Sequence, residues 1–506
     1  MKTVAKINPE EEYENAKSII DNAGKYFFNE QALNSLDKSL ENLITAARVL
    51  IEREEKRRGK KKPPKENKPK GRKKGEERKE PVKLPSERYP YTEIREDIIF
   101  PAKAPKCPCC NGIMKESGLF DISEKLEVIP KRYYIQRNKR PKFNCGHCHG
   151  AIVNTPALPS IVPTSNYGDS FIIDAALSKF CDLIPMERYV QMAFRGGLEG
   201  LPAQSLIGLT HHLADFLLPV YLKIKNEVLI STILLADETT HNMLEGDETS
   251  NWYLWGFFSK VASYFEAHDT RSGDVVFEFL KPSNAEYLVT DGYTGYNKAV
   301  RLIKEEYDRD IIQADCNAHA IRYFKDASIT WENECEAFLN LYGDIYKIEE
   351  KRKNEEKRKN AEENLTLSEK EQLQLRKDMI PLFDNLKEKC ESSIENAMPK
   401  SSFKKAINYF LKHYQGLTLC TMNLSVPLDN NHSEREVRSP VVGRKTWYGT
   451  HSKKGALTTA IHFSLTGSCK VNNVNPRNYY PWVVDQMLQR KIPLTPYEYS
   501  KLMGIQ

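Results

Sequence analysis

The sequence predicts a mixed α/β protein built from several domains. Short apolar, β-rich runs alternate with helical stretches over 227–326, and two of those runs end on aspartates. Residues 335–415 are rich in Glu, Lys, Leu and Asn at helical spacing, with almost no strand signal. Two Cys-x2-Cys pairs stand ahead of both regions. The chain has 506 residues, 40% of them hydrophobic, which is too long for one ordinary domain and enough for a sizeable core.

Taken in order, 1–58 reads as an N-terminal helical region. Leu33, Leu36, Leu40, Leu43, Ala47 and Leu50 repeat at steps of three and four, a zipper-like seam that either packs within the chain or joins two copies. Residues 59–99 read as a basic, disordered linker. The net charge of +6 is concentrated here: 53–79 holds fifteen Lys and Arg against five acids, leaving the rest of the chain near −4. Lys60, Lys61, Lys62, Arg72, Lys73 and Lys74 are thus candidates to grip a polyanion, the alternative being a solvated linker. The first residues lack the apolar stretch of a signal peptide, and no apolar run reaches membrane-spanning length. The expectation is a cytoplasmic, nucleoid-associated protein without membrane contact, in which clustered cysteines hold metal instead of forming disulfides.

Residues 100–155 form the cysteine module. Cys107-Pro-Cys-Cys110 and Cys145-Gly-His-Cys148 can place four thiolates at the corners of a tetrahedron, the arrangement of a structural Zn²⁺ site with no open coordination position. Cys109, His147 and His149 are substitute ligands, and 131–142 reads as a basic hairpin between the pairs. Pro156, Pro159 and Pro163 mark an extended linker. Residues 170–226 read as helical, either connecting or DNA-binding.

The run 228–236 predicts a strand that stops at Asp237. Strands are predicted over 252–259, 261–268, 287–290 and 311–314, and helices from about 275 and over 316–326. Asp291 ends the fourth of these strands. Carboxylates at rigid strand ends are how a protein holds hard divalent cations for phosphodiester chemistry. Acids on the first and fourth strands of such a series suit a ribonuclease-H-like core, although an aspartate after a strand is more often a cap or turn residue. A third acid is sought downstream in Leu428-Asp-Asn-Asn-His-Ser-Glu-Arg-Glu-Val-Arg438, where Glu434 competes with Asp429 and Glu436. Glu436 lies two positions on and points off the helix face that Glu434 uses. The plainer alternative is a charged helix start capped by Asp429 or Asn430. Cys316-Asn-Ala-His319 has the spacing of a zinc ligand pair, or of a pair that supports the site structurally.

These strings together resemble the IS66 family of bacterial insertion-sequence transposases. The resemblance rests on Ala236-Asp-Glu-Thr239, Thr290-Asp-Gly-Tyr-Thr-Gly-Tyr-Asn297, Cys316-Asn-Ala-His319, Asp429-Asn-Asn-His-Ser-Glu-Arg435 and Gly443-Arg-Lys-Thr-Trp447. The tail Lys470-Val-Asn-Asn-Val-Asn-Pro476 followed by Tyr479 adds to it, as does the cysteine module. The family differs at Glu436, where it has an alanine-like residue, and at Asn317, where it has an aromatic.

The resemblance implies a DDE transposase that cleaves DNA and transfers the strand by two-metal phosphoryl transfer. Asp237, Asp291 and Glu434 would be the catalytic acids holding Mg²⁺ or Mn²⁺, with Cys316, His319 and Arg435 in support. Zn²⁺ would be structural, on Cys107, Cys110, Cys145 and Cys148. The core would fall in two parts, 227–326 and 428–468, around a helical insertion over 327–427, with a helical tail over 469–506. Arg444 and Lys445 would help grip phosphates, or else only salt-bridge surface acids. The partners implied are double-stranded DNA (element ends and target), further copies of the chain on paired ends, and accessory transposition proteins. A non-catalytic zinc-dependent regulator derived from a transposase, or a ribonuclease-H-like nuclease without strand transfer, are the rival readings.

Overall fold

The computed structural model describes Ala47, 84–90, 92–100, 105–106, 108–114, 122–144, 152–244, 251–361 and 368–505, without the side chains of 355–361. The zipper-like seam lies outside the described residues apart from Ala47, which is helical. Lys60, Lys61, Lys62, Arg72, Lys73, Lys74, Cys107, Cys145 and Cys148 also lie outside them. Contacts group the chain into two units, Lys61–Arg137 and Met1–Lys60 with Asn138–Gln506.

In the smaller unit, helix α1 (Pro85–Arg88) is tied to Glu124, whose carboxylate accepts from the Ser86 amide and hydroxyl at 2.8 Å each. Further on, the chain makes a tight turn around Cys110. Lys106 bridges to Ile113, the Met114 amide donates to the Pro105 carbonyl at 2.9 Å, and Asn111 takes the left-handed conformation at φ 61°.

The hairpin expected over 131–142 does not form. Residues 131–141 have no regular structure, and only β1 (Lys142–Asn144) is a strand, paired antiparallel with β2 (Ile152–Asn154). Pro130 and Pro141 bracket the segment and cannot donate to a ladder. Lys131, Arg132, Arg137, Lys139 and Arg140 would moreover face one another across a two-stranded ribbon.

In the larger unit, the helices α2 (Asp169–Phe180), α3 (Met186–Arg195), α4 (Ala203–Phe216) and α5 (Leu218–Leu229) lead into the five-stranded sheet. The strand expected over 228–236 is displaced. Val220, Tyr221, Ile224 and Val228 fall at helical spacing and are buried, so α5 runs on to Leu229. After a short turn β3 covers Ile233–Asn242. It continues past Asp237 because β4 (Asn251–Phe258) pairs along it, from Leu235 opposite Phe258 to Asn242 opposite Asn251.

Then follow β5 (Ser263–His268), α6 (Gly273–Leu280), β6 (Tyr287–Thr290), α7 (Thr294–Tyr307), β7 (Ile312–Asp315) and α8 (Asn317–Ala327). The five-stranded sheet has the order β5-β4-β3-β6-β7, antiparallel on the β4 side of β3 and parallel on the β6 side. It is buried on both faces. Leu234 and Ala236 enter one core with Trp255, Phe257 and Leu288. Leu235 enters the other with Leu254, Phe258, Val289 and Ala314. This is the period-two alternation of a central strand.

The helices α9 (Glu332–Ala361), α10 (Glu369–Lys377), α11 (Ile380–Ser393) and α12 (Ser402–Thr418) come next. They join the second core through Phe338, Tyr342, Phe383, Leu386, Ile407 and Phe410. An ion network lies inside them. Glu349 accepts from Arg352 at 2.9 Å and from Arg376 at 3.1 Å. The Arg376 guanidinium also donates to the carbonyls of Cys420, Asn423, Leu424 and Val426.

Finally come α13 (Asn431–Trp447), α14 (Lys453–Val471), α15 (Pro476–Leu488) and α16 (Pro496–Leu502). Helix α14 is buried nearly all round and lies along β5. The Ser464 hydroxyl accepts from the Phe265 amide at 2.8 Å, and that of Ser468 from the Ser263 amide at 3.0 Å. It gives Ile461, Leu465 and Cys469 to the first core and Ala460 and Phe463 to the second. No helix among the described residues is long and apolar enough to cross a membrane.

Candidate active site

Strands β3 and β6 are parallel neighbours, with Leu235 opposite Val289. Asp237 lies two residues beyond that pair on β3, and Asp291 directly follows β6, so two half-buried aspartates come to adjacent positions at one end of the sheet. Each is fixed locally: Asp237 Oδ1 accepts from the Glu238 amide and Asp291 Oδ1 from the Tyr293 amide, both at 2.9 Å. Gly292 then takes φ +84°, which a side chain at this position would strain. A Cβ there would also meet the His413 ring at 2.9 Å.

Helix α12 reaches over this turn. Tyr409 donates to the Asp291 carbonyl at 3.0 Å, and His413 Nδ1 lies 3.0 Å from Asp315 Oδ1 at the end of β7.

Glu434 arrives in the first turn of α13. Two asparagines fix that helix start. Asn430 is fully buried; its side-chain amide donates to the Ala236 carbonyl at 3.1 Å, and its backbone amide donates to the Cys316 sulfur at 3.1 Å. Asn317, also fully buried, donates to the carbonyls of Leu417 at 2.9 Å and Leu428 at 3.0 Å. Asp429, one of the competing acids, accepts from the Asn431 amide at 3.1 Å and from the Tyr346 hydroxyl at 2.9 Å. Glu436 is turned to another face, buried against Ser263 and paired with Lys470 at 3.0 Å.

Electrostatics join the three acids. Burial pushes the Asp237 carboxyl up to about 8, and the charges of Glu238, Asp291 and Glu434 add to the rise. Glu238 itself is held by Arg271 at 2.6 Å and by the Tyr296 hydroxyl at 2.5 Å. The Glu434 carboxylate is taken up by α8: Arg322 Nη2 donates to both oxygens at 3.2 Å, and His319 Nε2 lies 3.5 Å from Oε1. Burial and the Arg322 charge lower the His319 pKa. Among the described residues, no three His, Cys, Asp or Glu side chains stand close enough together to enclose a metal ion.

The remaining candidates fall elsewhere. Cys316 caps α8, wholly buried, and burial pushes its thiol up to about 12; it acts here as a hydrogen-bond acceptor. Arg435 and Lys445 are exposed. Arg444 is occupied within the chain, donating to Thr239 and Thr240 on the outer end of β3. Arg322 and Arg271 went unread in the sequence, where Asn430 figures only as a cap candidate and Asn317 only as a departure from the family. Arg322 alone had a findable signal, since it lies one helical turn after His319 and shares its face.

Two family profiles match the chain. That described as "Transposase IS66 family" covers 164–458, and that described as "zinc-finger binding domain of transposase IS66" covers 105–149. Among relatives, "Uncharacterized protein y4hP" of Sinorhizobium fredii (strain NBRC 101917 / NGR234) is 26% identical over 84% of this chain and 78% of its own length. "Uncharacterized protein y4jD" of the same organism is 24% identical over 77% of this chain and 76% of its own.

Proposed function

The chain belongs to the IS66 family of transposases, with that family's zinc-finger domain ahead of its transposase domain, and from this premise we propose that it is a DDE transposase. It cleaves the DNA of an insertion sequence and transfers the strand, with Asp237, Asp291 and Glu434 as the catalytic acids. The observation that carries this reading is the convergence of Asp237 and Asp291 at neighbouring parallel strands with a buried helix start that delivers Glu434.

The sheet order β5-β4-β3-β6-β7, antiparallel then parallel about the acid-bearing β3, supports a ribonuclease-H-like core for 227–326 and 428–468. The helices α9–α12 form the insertion between its two parts.

The donor set fits hard divalent cations. All three groups are carboxylates, and a carboxyl raised to about 8 by burial, with its neighbours' charge adding to the rise, is a group that a cation would relieve. Mg²⁺ or Mn²⁺ bound there supplies charge neutralisation for the attacking and leaving oxygens. The rest is positioning by the chain. The strands fix Asp237 and Asp291. Asn430 and Asn317 fix the approach of Glu434, and Tyr409 and Gly292 fix the turn under Asp291. Water attacks the phosphodiester at an element end, and the 3′-hydroxyl so freed attacks target DNA in line.

Zn²⁺ fits Cys107, Cys110, Cys145 and Cys148 by ligand chemistry, and the tight turn around Cys110 matches a metal knuckle. DNA is gripped by the basic arm, Lys445 and the zinc module, and paired ends call for more than one copy of the chain.

The deciding experiment is cleavage of a duplex carrying the gene's own flanks in Mg²⁺ or Mn²⁺, by wild type and Asp291→Asn. Nicking at a repeat boundary by the wild type alone supports the reading. Equal cleavage by both refutes the acid assignment. Tight binding without cleavage by either points to a regulator or a missing accessory protein.

A further inference from the structure

Among the described residues, Glu434 is the one acid of the three that pairs directly with an arginine of its own chain. Arg322 Nη2 donates to both of its oxygens at 3.2 Å, while His319 stands on the same helix face at 3.5 Å. Any cation that uses Glu434 must compete with this guanidinium. The two cannot share the carboxylate comfortably, because a dication brought to Glu434 would lie within a few ångströms of a fixed positive charge.

Arg322 is nevertheless free to leave. Its side chain is 52% exposed, whereas Glu434 is 30% exposed, so the arginine can swing into solvent while the acid stays. An anion it could then meet at this mouth is the phosphate of a DNA strand laid across the acids, which a planar guanidinium binds with two hydrogen bonds.

We propose that Arg322 is an exchangeable counter-ion. It holds Glu434 in the DNA-free protein, gives it up as the divalent cation binds, and passes to a phosphate of the substrate. The proposal rests on the reading of Asp237, Asp291 and Glu434 as the metal site. It adds that metal binding and DNA binding assist each other through one side chain, because each removes an obstacle to the other. Arg322 is thus a positioning residue for Glu434 before the reaction and a phosphate ligand during it.

The test uses the full-length, zinc-loaded protein. Mn²⁺ is titrated without DNA into wild type, Arg322→Gln, Arg322→Lys and Asp291→Asn, with free Mn²⁺ read by electron paramagnetic resonance. Separately, the salt dependence of binding to a duplex of the flanking sequence is measured with Ca²⁺ present. Arg322→Gln is expected to bind Mn²⁺ roughly three- to tenfold more tightly than wild type, the range set by losing a partly exposed ion pair. Its salt slope on DNA is expected to fall by about 1, as for the loss of one phosphate contact. Arg322→Lys keeps the salt slope and shows a smaller gain in Mn²⁺ affinity.

Unchanged or weaker Mn²⁺ binding by Arg322→Gln overturns the proposal, and so does an unchanged salt slope. Mn²⁺ binding that falls with Asp291→Asn but ignores Arg322→Gln leaves the metal site standing and removes only the exchange. Binding that ignores Asp291→Asn removes the site beneath it, and the proposal with it.

Discussion

Replacing Arg376 by Met tests the load carried by the ion network inside α9–α12. Arg376 is 2% exposed and Glu349 3%. Burial alone would raise the Glu349 carboxyl, yet hydrogen bonds from Arg352 and Arg376 and their charges bring it down from its ordinary 4.5 to about 2. That depression corresponds to about 3 kcal/mol of stabilisation at neutral pH. Removing one member of a buried pair costs about 3–5 kcal/mol independently of that reasoning, because the partner is left charged and dry. The four carbonyls that Arg376 gathers, from Cys420 to Val426, add to the loss.

Arg376→Met is therefore expected to lose about 3–5 kcal/mol in urea unfolding followed by circular dichroism. Glu349→Gln should lose less, and the double mutant should not show the sum of the two losses. The sign with pH follows from the lowered pKa. The stabilisation is complete above about 4.5 and disappears as pH falls through about 2. Since the segment that Arg376 gathers leads directly to Asn430, the variant should also lose cleavage more steeply than it loses folded protein. A loss under about 1 kcal/mol, or strict additivity, would refute the claim that this network carries α9–α12.

Three further outcomes are expected. Glu227 is raised to about 7 by burial, with Glu498 adding to the rise against the Thr495 hydrogen bond and the charges of Lys223 and Lys501. Its favourable contribution is therefore full below about 4.5 and lost as pH rises through 7. Glu227→Gln should be more stable than wild type above pH 7, by on the order of 1–2 kcal/mol after discounting for solvent, with the advantage vanishing at pH 4–5 in thermal melts. Gly292→Ala places a Cβ at a left-handed φ against the His413 ring, and should lower the urea midpoint by an amount equivalent to about 2 kcal/mol; an unchanged midpoint would show that the turn relaxes freely. Asn430→Asp sets a buried carboxylate against the Ala236 carbonyl where an amide now donates, so it should depress folding and cleavage more than Asn430→Ala; the reverse order would mean the amide bond is idle.

Much of this fold could be read from local pattern, and each failure has its own physical cause. Strands β4, β5 and β6 and the position of Asp291 follow from short apolar runs between turn residues. The segment before Asp237 misled because the last turn of α5, with Val228 and Leu229, abuts the apolar β3 with only 230–232 between them. Periodicity cannot divide a continuous apolar run. The basic stretch over 131–142 is expected as a hairpin between the two cysteine pairs, but two prolines and crowded cations deny it a ladder. The tethers around the acids were illegible for a different reason. Arg322 meets Glu434 across 112 residues and Asn430 meets Ala236 across 194, and neither residue type announces a partner at such range. Glu434 stood out from Glu436 only through a helix-face argument, and the structure turns Glu436 towards α14 and β5.

Helix α14 gives side chains to both cores and satisfies the backbone of β5 with its serines. On a ribosome this segment emerges after all three acids have been made. A nascent chain halted before Lys453 would own every carboxylate of the site, yet both hydrophobic layers would be open along β5 and the outer rim of the sheet would lack its buried partner. On the proposed reading of the three acids, the fold that would present them is thereby withheld until α14 has been made.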